Sequence, residues 1–197
     1  MAHGAAWFRP ARGREAAVDA VAVCGLLLLA VAEILLTQGQ FSVRPHLALA
    51  LVAACVMCLA LWWRRSHPLV PVIVALAGVS AGAAVGITPQ AWLLPLLCLV
   101  AYSAGAYARG WESATGLCGS VLAGWVIARS SVDGSAPTDY VCTVAMLGVS
   151  WAAGAGLRRR QDAATQDRAS ALAEQRARIA RELHDVVAHS LTVVVVT

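Results

Sequence analysis

Apolar residues run along most of this chain in long blocks, each broken by a charge, a proline or a glycine. Only ten charged residues fall between Ala16 and Leu157, whereas Arg158 to Asp185 holds twelve. A bilayer's hydrocarbon core takes about 20 apolar residues per helix. The blocks therefore predict six helices, at about 16–36, 46–63, 69–87, 91–108, 112–129 and 139–157. Pro71 and Pro95 fall near helix starts, where a missing backbone N–H is tolerated. Gly78, Gly82 and Gly86 recur every four residues and form a small-residue face, suited either to packing within the bundle or to a seam between two copies.

The pattern changes after Arg160. Neither proline nor glycine occurs from there to Thr197, and Ala, Gln, Arg, Glu and Leu dominate, all good helix formers. Leu172, Ile179, Val186 and Val193 repeat every seven residues, flanked by Leu183, Val187, Ser190 and Val194. Such a stripe is that of a coiled coil and expects a partner helix. Since it follows straight on from the sixth block, rotation or tilt of that helix would pass into the seam. The expected fold is all-α: a polytopic transmembrane bundle of about six spans continuing into a cytosolic, dimeric coiled-coil helix. Its expected segments are a cytoplasmic tail (1–15), a transmembrane input domain (16–157), a linker helix (158–177) and the opening of a further helical domain (178–197).

Charge sets the orientation. All fifteen basic residues are Arg, and Lys and Asn are absent, an alphabet typical of GC-rich genomes. Arg collects on the cytoplasmic side of membranes. Arg9, Arg12, Arg14, Arg64, Arg65, Arg109 and Arg158 to Arg160 fall on one side of a six-span arrangement, leaving only Arg44 and Arg129 on the other. Both termini are then cytoplasmic and the protein sits in the cell membrane. Trp62, Trp63, Trp92, Trp111 and Trp151 lie near span ends, as interfacial indoles do. The external loops are too short to fold into a ligand-binding domain, so the stimulus has to be read by the bundle itself, and the bilayer is the expected partner, with no direct contact to nucleic acid.

Other candidate chemistry is sparse. The first apolar run is long enough to span and does not read as a cleavable signal peptide. Six cysteines all lie in apolar runs, which argues against a disulfide or zinc framework, and Cys55 and Cys58, though spaced as CxxC, read as small apolar fillers. No metal site is expected. Glu33 stands out as an acidic residue within a span, either a cation or proton sensor or a water-exposed carboxylate at the interface. His46 and His67 sit at span boundaries and read as interfacial.

His184 lies about 100° round the helix from Leu183 at the stripe's centre, on the flank of the coiled coil, where a second protein could reach it. The string Arg178-Ile-Ala-Arg-Glu-Leu-His-Asp-Val-Val-Ala-His-Ser-Leu-Thr-Val around it closely resembles the phosphoacceptor box of the third histidine-kinase dimerisation family, to which nitrate/nitrite and desaturase sensor kinases belong. The polytopic region before it is similar in architecture to the input modules of actinobacterial members.

The resemblance implies that residues 178–197 begin a dimerisation and phosphoacceptor domain. In that domain His184 accepts the γ-phosphoryl group of ATP on a ring nitrogen. Asp185 acts as general base and orients the imidazole. Glu182 and Arg181 lend electrostatic support. Asp185 and His189 also match the acid-x-x-x-Gln/His pattern of members that dephosphorylate their response regulator, with His189 positioning a water; the bland alternative for His189 is an exposed polar residue. The implied partners are a second copy and a response regulator of helix-turn-helix DNA-binding type. ATP and Mg²⁺ would be held by a C-terminal ATP-binding domain that these 197 residues do not contain, so the chain is expected to be an N-terminal part of a longer kinase, inactive alone. Two other readings compete: a short adaptor that dimerises with full-length kinases and modulates them, and a small transporter, which the scarcity of intramembrane charge weakens.

Overall fold

Each apolar block becomes a helix. The computed structural model describes the backbone of residues 13–36, 47–86, 91–130 and 136–195, and the side chains of these segments from 17 to 179. The elements are α1 (Gly13–Leu36), α2 (Leu47–Ala60) closed by a 3₁₀ turn (Leu61–Trp63), α3 (Leu69–Val85), α4 (Leu93–Tyr107), α5 (Trp111–Ser130) and α6 (Pro137–Val195), with no strand among the described residues. The chain divides into two compact units, Met1–Gly156 and Leu157–Thr197.

Local chemistry sets the helix ends. Pro71 and Pro95 are each the third residue of their helix, where the backbone N–H has no intrahelical acceptor in any case. Gly86 closes α3 in the left-handed region (φ 74°), which a glycine enters without penalty, and this ends the helix two residues short of the predicted boundary. Gly110 (φ 56°) makes the tight link from α4 to α5. Asp139 starts α6: its carboxylate accepts from Ala136 N–H at 3.0 Å.

In the first unit α5 packs against both α3 and α4, and it does so through small residues. A Cβ placed on Gly116 would lie 2.5 Å from Ala104 Cβ on α4, and one on Gly119 the same distance from Val72 Cγ1 on α3. The closest approach is between α4 and α6. A Cβ on Gly105 would run into the Trp151 carbonyl oxygen, and one on Gly154 into that of Tyr102. Both obstacles are backbone, so only glycine fits. Of the Gly78/Gly82/Gly86 face, Gly78 alone is used in packing, against Met57 of α2. Gly82 has open space and Gly86 is the α3 cap. The core that results is built from Ile34, Ala54, Cys58, Leu61, Leu96, Leu97, Val100 and Leu147, among others.

Large apolar side chains also cover the outside: Val21, Leu28, Val52, Ile73, Val141 and Val149 are all exposed. Ser103, Ser120 and Ser130 turn their hydroxyls back to the carbonyls of Leu99, Gly116 and Val126, and no buried side-chain N or O among the described residues lacks a partner. Helices in hydrocarbon need that internal satisfaction. Among the described residues, two helices are long and apolar enough to cross a bilayer, α1 over Ala17–Leu36 and α6 from Pro137. The apolar stretches Leu47–Trp63, Leu69–Val85 and Leu93–Tyr107 are shorter. α5 has 20 residues but spends them on Gly, Ser and Thr, with Glu112 and Arg129 at its ends. The residues that let it pack closely also dilute its apolarity.

Candidate functional site

The acceptor box lies on α6, whose backbone is helical through Val195. The side chains of Arg181, Glu182, His184, Asp185 and His189 lie outside the described residues; their positions follow from the helix alone. His184 and Asp185 are about 100° apart round the axis, while Asp185 and His189 are one turn apart on a common face, with Cβ atoms about 5–6 Å from each other. A carboxylate and an imidazole at that spacing can act on one small group, such as a water beside a phosphoryl.

The stretch of α6 just before the box has described side chains, and from Arg159 to Ile179 all of them are exposed. Leu172 and Ile179, seven residues apart, expose 55% and 48% of their surface. Around them the helix is solvated: Thr165 and Ser170 bond back to the carbonyls of Asp162 and Asp167, and Glu174 stands four residues before Arg178, the favourable order for an i,i+4 pair. The first two positions of the predicted heptad stripe are thus apolar side chains standing among polar ones.

The first unit contains a polar cluster that the charge pattern did not reveal. Glu33 is the acidic residue that the sequence sets within a span, yet Asp19 is the buried one. It sits on α1 and binds two guanidiniums from the turn after α2: Arg64 Nη2 donates to Oδ1, Arg65 Nε to Oδ2 at 2.5 Å and Arg65 Nη2 to Oδ1 at 3.1 Å. The side chains of Asp19, Arg64 and Arg65 expose 11%, 7% and 28%. Arg65 also lies over the Tyr107 ring, 5.6 Å from its centroid, at the end of α4. One carboxylate thus joins α1 to the α2–α3 turn, and Arg65 extends the joint to α4. A lone Asp three residues into an apolar run reads as interfacial; a pair of adjacent arginines one span later was the only signal of its role.

At the opposite end of α1, half-buried Glu33 reaches the start of α4. Its Oε1 accepts from Ala91 N–H at 2.6 Å and Oε2 from Trp92 N–H at 2.9 Å. It caps α4, whose own N-terminus has no side-chain cap. A carboxylate suits that position because the helix dipole presents positive charge there. Trp92 is accordingly buried, and Trp151 is half-buried with Nε1 donating to Ser113 Oγ at 3.0 Å and to its carbonyl. Trp62, Trp63 and Trp111 are exposed, as expected of interfacial indoles. Cys58 is fully buried in the core and Cys55 half-buried. His67 is exposed, and His46 lies outside the described residues.

These contacts define the two ends of the first unit. Asp19, Arg64, Arg65 and Tyr107 meet at one, Glu33, Ala91 and Trp92 at the other, so α1 runs antiparallel to both α2 and α4. The contacts of α6 with Ser113, Gly105 and Tyr102 bring its residues 151–155 to the Tyr107 end of α4.

Comparison with known families divides the chain along similar lines. A histidine kinase model matches residues 175–197, a short match covering the acceptor box. This supports a place in two-component signalling. A model described as a domain of unknown function (DUF7134) matches residues 5–161, most of the chain, and the protein belongs to that family. No curated protein and no solved structure matches it.

Proposed function

We propose that the protein is the membrane input portion of a two-component sensor histidine kinase, with His184 as the phosphoacceptor. The observation that carries this reading is the acceptor box itself, on a continuous helix and inside the segment matched by a histidine kinase model. The neutral imidazole of His184 attacks the γ-phosphorus of ATP, an N–P bond forms as the bond to the β–γ bridging oxygen breaks, and ADP leaves. Asp185 holds the second ring nitrogen and takes up the charge that develops there. Glu182 and Arg181 shape the local field. The phosphoryl group then passes to an aspartate of a response regulator of helix-turn-helix type, and His189 with Asp185 positions a water for its later removal. ATP and Mg²⁺ are bound by a separate ATP-binding domain.

The bundle crosses the cell membrane about six times with both ends in the cytoplasm. Supporting this are the exposed apolar surfaces of the helices, the internal satisfaction of their hydroxyls, and the gathering of Arg64, Arg65 and Arg109 at the end where α1 begins. Leu172 and Ile179 meet a second copy in a coiled coil. The stimulus is sensed within the bilayer and moves α6.

The test is phosphorylation in trans. The purified chain, mixed with the ATP-binding domain of a related kinase and Mg²⁺-ATP, is expected to take up label on His184, and His184→Gln to abolish it. If the chain stays unlabelled after a second hairpin helix is supplied, the proposal fails.

A further inference from the structure

Residues 137–156 of α6 meet the bundle along one face. Thr143 Cγ2 and Leu147 Cδ1 lie 3.0 and 3.4 Å from where a Cβ on Gly124 of α5 would stand. One turn on, Trp151 donates from Nε1 to the hydroxyl and carbonyl of Ser113, an α5 residue that is 4% exposed. Gly154 and Ala155 then close on α4, the first against Tyr102 and Ala106, the second against Gly105. Positions 143, 147, 151, 154 and 155 have the spacing of a single helix face. The other faces carry Val141, Val144, Met146 and Val149, all exposed.

This face admits one register. Gly105 and Gly154 each stand where a Cβ would strike the other helix's backbone, and each has an alanine on both sides: Ala104 and Ala106, Ala153 and Ala155. Turning α6 by one residue, about 100°, puts an alanine Cβ where Gly154 stood, against the Tyr102 carbonyl. The same turn takes the Trp151 indole away from Ser113 and leaves its N–H without an acceptor in apolar surroundings, which costs free energy. α4 is held in turn to α5, with Ala104 against Gly116. Interfaces packed in this way switch between discrete arrangements and do not deform continuously.

We propose that α4, α5 and residues 137–156 of α6 form one register-locked block, with Trp151 and Gly154 as its positioning residues, so that α6 passes on movement of the block and does not turn within it. The inference deepens the reading that a stimulus moves α6, and it excludes rotation of α6 alone as the signal. Both polar joints of α1 reach α4, through Glu33 at its start and through Asp19-bound Arg65 over Tyr107 at its end. Displacement of α1 or of the α2–α3 turn therefore enters α6 by way of α4.

Disulfide trapping in the whole chain reads this register without phosphorylation, so its outcome holds whether or not His184 is an acceptor. In a background free of the other native cysteines, Gly124→Cys is combined either with Thr143→Cys or with native Cys142. Position 143 faces Gly124 closely enough for a disulfide, while Cys142 is exposed and lies about 100° round the helix. Membranes are oxidised with copper phenanthroline, and free thiols are counted with a high-mass maleimide. The pair at 124 and 143 should close about tenfold faster than the pair at 124 and 142, the order of effect of one overpacked methyl. Trp151→Phe keeps a ring but removes its donor, and should raise the relative rate of the Cys142 pair; Gly154→Ala should raise it further. A substitution that only loosens the fold changes both pairs alike. Comparable rates for the two pairs with Trp151 and Gly154 in place would show α6 turning within the bundle and overturn the proposal. So would a ratio that neither substitution moves.

Discussion

Asp19→Ala is the substitution whose cost the structure specifies most closely. It removes the carboxylate that bonds both Arg64 and Arg65 and leaves a guanidinium whose side chain is 7% exposed next to a cavity. Removing one partner of a buried ion pair costs about 3–5 kcal/mol. The lower end applies here, about 3 kcal/mol, because Arg65 reaches solvent and can reorient. A double-mutant cycle separates pairing from packing. If the loss is mainly an uncompensated Arg64, then Asp19→Ala/Arg64→Ala should be more stable than the sum of the single effects, with a coupling of about 2 kcal/mol, within the range for residues in one network. The measurement is equilibrium unfolding in bicelles followed by tryptophan fluorescence. A cost for Asp19→Ala under about 0.5 kcal/mol, the range of ordinary surface changes, or strict additivity in the double variant, would refute the argument.

Three further outcomes follow from the same geometry. Gly154→Ala places a methyl on the Tyr102 carbonyl and should destabilise by about 1–3 kcal/mol or more, whereas Gly148→Ala, with open space around it, should be neutral or slightly stabilising; unfolding of the two side by side decides. Glu33→Gln leaves one acceptor for the N–H groups of Ala91 and Trp92 and should cost about 1 kcal/mol by the same assay. With the proposed coiled coil in place, Leu172→Asp with Ile179→Asp should reduce the cross-linked dimer it predicts, while leaving the first unit's unfolding unchanged.

The helices were legible because their signal is one-dimensional: apolar runs of about 20 residues broken by Arg64-Arg65, Arg109 and Pro137 can be read without knowing what touches what. Their ends moved by only a few residues, and for Gly86 the reason is a left-handed cap. The acceptor box was legible for a different reason, since its information is a contiguous string. What the sequence hid were pairings between distant positions. Asp19 and Arg64 are 45 residues apart, and each has an innocent local reading, one as an interfacial acid and the other as a positive-inside marker. Gly105 and Gly154 belong to no regular spacing, so the tightest contact in the bundle left no motif. The Gly78/Gly82/Gly86 series had the motif, but only Gly78 is used in packing. Glu33 stands out in the sequence and its partners do not, because backbone N–H groups carry no sequence signature.

The central claim, that this helix carries a phosphoacceptor, is tested most directly by locating the modification. After incubation with Mg²⁺-ATP, an ATP-binding domain and a restored hairpin helix, mass spectrometry under conditions that preserve phosphohistidine should find the phosphoryl group on His184, with His189 unmodified and Asp185→Asn slowing its appearance. Phosphate on His189 instead, or on neither histidine, would contradict the account.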